Sequence, residues 1–135
     1  MNTPAKALLK FLEDNNIAQF GTNLFYGHVP SSIKTNISLY WVTQSGANVS
    51  RHNVTGEDAK NYTYNIHYRS ASAQDVEEKM FALDKLITSK RCYDLDGFET
   101  IALKVFSSPE SPTLDFENRA TSFMVVTAEI YDITK

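Results

Sequence analysis

A strict alternation of apolar and polar side chains over residues 61–69 is the sequence feature that most constrains the fold of this chain. Apolar or aromatic side chains occupy one side of the segment and polar side chains the other: Tyr62, Tyr64, Ile66 and Tyr68 against Thr63, Asn65, His67 and Arg69. Because successive side chains of a strand point to opposite faces, this pattern predicts a strand with one buried face. Such a strand needs neighbours in a sheet and a second layer that covers its apolar side.

Two amphipathic helices are predicted to supply that layer. Thr3 followed by Pro4 is typical of a helix start, and apolar residues recur along the first helix until Asp14. Ser72 and Asp75 have the spacing of a capping box at the start of a second helix. The apolar stripe of that helix consists of Val76, Met80, Leu83 and Ile87, which Leu86 widens. We expect both helices to pack on one face of the sheet.

The remaining strands follow from aromatic and β-branched residues. Residues 23–29, 37–43, 100–106 and 121–133 predict four further strands. The nearly apolar segment 37–43 is typical of a central strand covered on both faces. The order helix, three strands, helix, two strands predicts an α+β fold. We expect an antiparallel sheet of about five strands, with mixed pairing allowed, and both helices on one face.

Residues 44–60 are predicted to form a long polar loop, because glycine and asparagine recur in them. Loops beyond about 12 to 15 residues are uncommon in compact domains unless they are functional or disordered. A loop of this length therefore needs a functional reason. A solvated hairpin tip without a partner is the alternative interpretation.

Length and charge limit the classes of protein that remain. The chain has 135 residues and is predicted to form a single domain over residues 1–135. Its formal net charge is −3 with the two signs interspersed, so we expect no sequence-specific nucleic-acid surface. No apolar run approaches the roughly 20 residues that cross a bilayer, and no secretion signal is recognised. We expect a protein without a membrane role that is made and kept in a cytosol.

Residue types that support catalysis are scattered. His28, His52 and His67 lack the short spacing of metal ligands. Cys92 follows two cations at the predicted end of a helix, where the dipole opposes a thiolate. Residues 94–97 begin like a calcium loop but lack its remaining ligands, so a turn is predicted there. We expect no catalytic residue, no metal site and no cofactor.

Three segments carry a resemblance to a known family. FYGHVP at residues 25–30, YNIHYRS at residues 64–70 and SPTLDFENR at residues 111–119 together resemble the tail-terminator and minor capsid proteins of long-tailed, siphovirus-type bacteriophages. The predicted order of helices and strands is similar to that of the family. Arg69 matches a strand-end arginine of the family pattern, which implies an interface role. A salt bridge to a neighbouring carboxylate is the alternative interpretation of Arg69.

The resemblance implies a structural, non-enzymatic role at the head-tail junction of the virion, after assembly in the bacterial cytoplasm. Family members cap the tail tube, stop its polymerisation and join the tail to the head, typically as hexameric rings. The implied partners are further copies of the chain, the tail tube protein and a head-tail connector or stopper protein. In this role the polar loop at residues 44–60 would order on docking, and we expect Arg51, His52, Asp58 and Lys60 to make the partner contacts. Two alternatives stay open: a small-molecule-binding or enzymatic α+β domain of the cytosol, and an adaptor that forms no ring.

Overall fold

The computed structural model describes five stretches of the chain, residues 3–30, 38–52, 57–89, 99–114 and 119–131. They form two α-helices and a six-stranded mixed sheet, which confirms the predicted α+β class. In chain order the elements are α1 (Pro4–Asp14), β1 (Leu24–Tyr26), β2 (Leu39–His52), β3 (Glu57–Ser70), α2 (Ala73–Ser89), β4 (Glu99–Ser107), β5 (Thr113–Leu114) and β6 (Ala120–Tyr131). Cys92, the turn predicted at 94–97 and the predicted strand residues 37, 132 and 133 lie outside the described residues.

Both helices begin where the sequence predicts. The Thr3 hydroxyl accepts a hydrogen bond from the Lys6 amide at 3.2 Å, and proline occupies the first helical position of α1. The Ser72 hydroxyl accepts from the Asp75 amide at 3.3 Å before α2. These bonds satisfy amide groups that have no partner inside a helix, so the two N-termini are fixed by local sequence.

The sheet has the strand order β1-β2-β3-β6-β4, with β5 also paired to β6. Its pairs are antiparallel except for β1 and β2, which run parallel, so the sheet is mixed. A parallel pair needs a crossover of about a dozen residues, and the chain between β1 and β2, residues 27–38, has that length. β5, which the sequence analysis did not predict, continues along β6 beyond the end of β4.

The prediction of a long loop at residues 44–60 is wrong. β2 continues to His52, and its partner β3 begins at Glu57, so most of this segment is a paired hairpin. Gly46 follows a β-bulge and does not mark a turn, since the register shifts at Ser45. The backbone ladder holds the two strands together without the apolar alternation that identified residues 61–69, which explains why polarity alone misled the prediction.

One cluster of buried side chains joins both helices to one face of the sheet. Tyr64, Ile66 and Tyr68 belong to it, as their alternation predicts. The helices contribute mainly the predicted stripes: Leu8, Leu9 and Leu12 from α1, and Val76, Met80, Leu83 and Ile87 from α2. The last strand contributes Met124, Val126, Ala128 and Ile130. The alternation of β3 therefore determines which face the helices cover.

A single hydrogen bond ties β3 to the start of α2. The Tyr68 hydroxyl donates to the Asp75 carboxylate at 2.6 Å. This bond lowers the pKa of Asp75, whereas burial raises the pKa of Tyr68 to about 12. A carboxylate with a lowered pKa stabilises the folded state above its unfolded pKa, and this contribution is lost as the pH falls through the folded value.

Tyr68→Phe removes that donor and is expected to raise the pKa of Asp75. The free energy of unfolding at pH 7 should fall by about 1 kcal/mol. This is a small loss for a hydrogen bond to a charged group, because Asp75 is only partly buried. Urea unfolding and an NMR titration of the carboxyl carbon measure the two effects. Tyr62→Phe, on the same strand face, is the matched control. An unchanged Asp75 pKa in Tyr68→Phe contradicts the assignment.

Candidate functional site

The sheet face that points away from α1 and α2 is named the open face. No helix in the described residues covers it. The registers of four neighbouring strands align Phe25, Trp41, His67 and Phe123 in one line across this face, here named the aromatic row. On this face of the segment 37–43, which was expected to be covered on both faces, Leu39 is fully buried and Trp41 is partly buried. Burial on the open face is uneven, because Leu39 and Phe25 are buried whereas Trp41, His67 and Phe123 are partly exposed.

The rings of the aromatic row pack against one another. The Trp41 and His67 rings are stacked, with centroids 4.6 Å apart and planes 3° from parallel. The His67 and Phe123 centroids are 5.6 Å apart with a tilt of 37°. Both distances are in the range of favourable aromatic pairs, so the row is preorganised. Burial lowers the pKa of His67, which keeps the imidazole neutral at pH 7.

A groove of about 440 Å³ lies over the aromatic row and is named the sheet groove. Its floor includes Trp41, His67 and Phe123, and its wall is the segment between β4 and β5. The Glu110 amide donates to the Phe123 carbonyl at 3.2 Å, and the Glu110 carbonyl accepts from the Ser122 hydroxyl at 2.6 Å. β6 therefore holds the wall of the groove by two hydrogen bonds.

Charged groups line one part of the sheet groove. Arg69 and Arg119 contribute two guanidinium groups, and Glu110 contributes one carboxylate. Arg69 is only 9% exposed and lies in the row of residues next to the aromatic row. Guanidinium groups bind carboxylates through paired hydrogen bonds, and arginine and aromatic residues are both enriched at protein interfaces. The groove therefore combines aromatic and charged side chains, as protein interfaces do.

The same face contains one pair of side chains that resembles a catalytic arrangement. The Thr43 hydroxyl oxygen lies 3.1 Å from His67 Nε2, a distance at which an imidazole can act as base for a hydroxyl nucleophile. In such sites a third group, often a carboxylate, orients the base. The hydrogen bonds of the described residues give the imidazole no carboxylate partner. Packing of His67 between two rings is the better-supported role of this side chain.

The structure divides the predicted site residues into two groups. The register pairs Arg51 with Asp58 and His52 with Glu57 at the end of the hairpin, and it pairs Lys60 with Val49. We name residues 49–52 and 57–60 the hairpin arm. Within the described residues, 57–59 pair with β2 alone, because the pairing of β3 with β6 begins at Lys60. These predicted contact residues are thus brought together on one structural element.

Arg69, the fifth predicted residue, lies elsewhere. It is at the other end of β3, about 30 Å from Lys60 along the strand. It belongs to the sheet groove, which the sequence analysis did not predict as a site. The groove residues on the strands alternate with the buried core residues, as Trp41, His67 and Phe123 show. This shared alternation is the sequence signal that identifies the groove.

The described stretches also bear on a histidine site, a metal site and a membrane-spanning helix. His28 is exposed near the end of β1, apart from His67 on the open face. No group of three or more acidic, histidine or cysteine side chains in these stretches is placed to hold a metal ion. None of their helices combines the length and apolar character that crossing a membrane requires.

No family model and no curated protein matches this sequence. The features that bear on function are therefore the open face with its sheet groove, the hairpin arm, and the three segments with their family resemblance.

Burial of His67 makes the stability of the protein depend on pH. Because its folded pKa is below the unfolded value of about 6.5, the unfolded chain binds a proton first as the pH falls. Stability is therefore lost below about pH 6.5, by at most about 1.4 kcal/mol per pH unit, until the folded pKa is reached. His67→Phe keeps a stacked ring and removes the titration. Urea unfolding between neutral and mildly acidic pH should show a steeper loss for the wild-type chain, and parallel profiles contradict the assignment.

Proposed function

We propose that this chain is a structural subunit of the head-tail junction of a long-tailed bacteriophage. It acts as a tail terminator: a ring of the chain caps the tail tube, stops its polymerisation and joins the tail to the head connector. The resemblance of three segments suggests the family, and six is the copy number it implies. The fold is compatible with the role, since its order of elements follows the predicted plan apart from the short β5.

The observation that carries the proposal is the open face. Three neighbouring rings on this face, those of Trp41, His67 and Phe123, are only partly buried and lie beside the sheet groove. Exposed surfaces that combine aromatic side chains and arginine are typical of protein interfaces. A subunit that works by assembly needs such a surface for contact with other chains.

The second supporting feature is the separation of the sheet groove from the hairpin arm. These regions lie on different parts of β3, and His67 of the groove is about 23 Å from Lys60 of the arm along the strand. A terminator contacts its ring neighbours and also the tail tube and the connector, so it needs surfaces that point in different directions. We assign the sheet groove to ring contacts. We assign the hairpin arm, with Arg51, His52 and Asp58, to contacts outside the ring.

Ring closure explains how such a subunit stops growth. Contacts between different surfaces of identical copies produce either a closed ring or an open filament, according to the rotation between neighbours. A closed ring has no free site for another copy within its plane. When one side of the ring binds the tail tube, only the opposite side remains, and this side presents a surface for the connector.

The sheet groove also favours a second candidate function, a small-molecule-binding domain of the cytosol. Its volume of about 440 Å³ is in the range of ligand sites, and its lining mixes rings with charged groups. In that case a screen of aromatic carboxylates should find a compound that raises the melting temperature. The substitution Trp41→Ala should abolish that increase. A phage that lacks the protein would then still form normal tails.

Shortening the hairpin arm tests the proposed role directly. Residues 50–59 are replaced by Asn-Gly, a two-residue turn that joins the paired residues Val49 and Lys60 without changing the register. The variant should fold, because the pairing of Val49 with Lys60 and the rest of the ladder toward the buried cluster are retained. In a phage without the native gene, it should fail to restore the joining of tails to heads. Electron microscopy of lysates and the yield of infectious particles are the measurements.

Lys10→Ala on the exposed side of α1 is the matched control, since it removes only a solvent-exposed pair with Asp14. It should restore the yield fully. Tails of abnormal length are expected when the protein is absent. Normal tails without the protein, or a full yield with the shortened arm, contradict the proposal.

A further inference from the structure

The wall segment of the sheet groove, residues 108–112, is longer than the stretch of β6 that it faces. β4 pairs with β6 up to Ser107, and β5 resumes the pairing at Thr113. Their partners on β6 are Val125 and Thr121, so five residues of the wall segment face only three of β6. A regular antiparallel ladder pairs one residue with one, so the two additional residues keep the wall segment out of the ladder.

Two prolines also limit the pairing of the wall segment. Pro109 and Pro112 have no amide hydrogen, so neither can donate to a ladder. Both side chains are half-buried, whereas Ser108, Glu110 and Ser111 are exposed. The wall segment therefore contributes no fully buried side chain to the fold, and its displacement exposes little apolar area.

Glu110 is the residue through which β6 holds the wall segment. Its amide donates to the Phe123 carbonyl at 3.2 Å, and its carbonyl accepts from the Ser122 hydroxyl at 2.6 Å. Among the hydrogen bonds of the described residues, those that join the wall segment to β6 are these two. Release of this one residue therefore frees the whole segment from the strand.

The pairing on either side of the wall segment is interrupted or short. The register of β4 shifts between Val105 and Ser107, and β5 consists of Thr113 and Leu114, both of which are exposed. The Thr113 hydroxyl is 3.5 Å from the Thr121 hydroxyl, a long distance for a hydrogen bond. Segments with few buried contacts and exposed hydrogen bonds open at a free energy below that of global unfolding.

We propose that the wall segment is a gate of the sheet groove, which opens by release of Glu110 from β6 while the rest of the sheet stays folded. Glu110, Ser111 and Thr113 line the groove on the side opposite Trp41. Opening removes this side and makes the floor accessible. The gate does not rest on the proposed function, because it controls access to the groove for a neighbouring subunit and for a small molecule alike.

Opening of the gate leaves the floor of the groove in place. Phe123 lies on β6, whose pairing with β3 is independent of the wall segment. Trp41 and His67 are stacked on β2 and β3, which are also paired without it. The movement therefore changes access to the aromatic row and preserves its geometry.

Amide hydrogen exchange of the full chain, followed by NMR, tests the gate. The Glu110 amide should exchange faster than the slowest amides of β3, and low concentrations of urea should leave its rate unchanged, because a local opening exposes little surface. Exchange of the slowest β3 amides should accelerate with urea, since it requires global unfolding. A Glu110 amide with the rate and the urea dependence of those β3 amides overturns the proposal.

Ser122→Ala removes one of the two hydrogen bonds of Glu110. Exchange of the Glu110 amide should accelerate about fivefold, the factor that corresponds to about 1 kcal/mol for one hydrogen bond. Ser45→Ala is the matched control, because the Ser45 hydroxyl also donates to a carbonyl across a strand pair, that of Thr63 at 3.2 Å. This control should leave the Glu110 rate unchanged. Equal Glu110 rates in Ser122→Ala and the wild-type chain contradict the assigned role of Glu110.

Closing the ladder tests the cause of the opening. Deletion of Ser108 and Ser111, combined with Pro109→Thr and Pro112→Thr, leaves three residues opposite three of β6 and restores the missing amide donors. The Glu110 amide should then exchange as slowly as the neighbouring amides of β4. A Glu110 rate equal to that of the wild-type chain shows that neither the additional residues nor the prolines cause the opening, which contradicts the proposal.

Trp41, the only tryptophan, reports access to the groove. Glu110→Pro removes the amide donor and should hold the gate open, so acrylamide should quench the Trp41 fluorescence more strongly than in the wild-type chain. Ser111→Pro is the control: it adds a proline to the same segment, and the hydrogen bonds of the described residues do not use the Ser111 amide. Its quenching constant should equal that of the wild-type chain. A folded Glu110→Pro variant, verified by circular dichroism, with the wild-type quenching constant overturns the proposal.

Discussion

The pairing of β3 with both of its neighbours is the constraint on which the rest of the structure depends. Its register with β2 and β6 places Tyr64, Ile66 and Tyr68 under the helices and His67 and Arg69 on the open face. A slip by one residue would exchange the two faces, burying charged groups and exposing the core. One strand therefore builds both the hydrophobic core and the surface that we assign to assembly.

The elements that depend on a buried face could be predicted from the sequence. The stripe of α2 and the alternation of β3 each require burial on one side, and local periodicity reports that requirement. The helix starts at Thr3 and Ser72 could be predicted because capping is a local interaction between neighbouring residues. For the same reason, the class of fold and the packing of both helices on one side of the sheet followed from the sequence.

The remaining features depend on contacts between distant segments. The hairpin arm has no apolar alternation, so its polar residues were interpreted as a loop, although the backbone ladder continues there. The short β5 pairs with β6, and β1 pairs in parallel with β2, so both depend on strands that are distant in the sequence or lie beyond a connection. The sheet groove brings together residues from β2, β3, β6 and the wall segment. Only the tertiary fold shows that these residues share one face of the sheet. The sequence analysis assigned an interface role to Arg69 but did not predict the groove.

Assembly is the role in which these features have a common purpose. We assign the sheet groove, with its stacked rings, and the separate hairpin arm to contacts with other chains. The most direct test of this account is cryo-electron microscopy of purified virions that contain the chain. We predict one closed ring of the chain at the end of the tail tube nearest the head. A virion without the chain at that position would contradict the account.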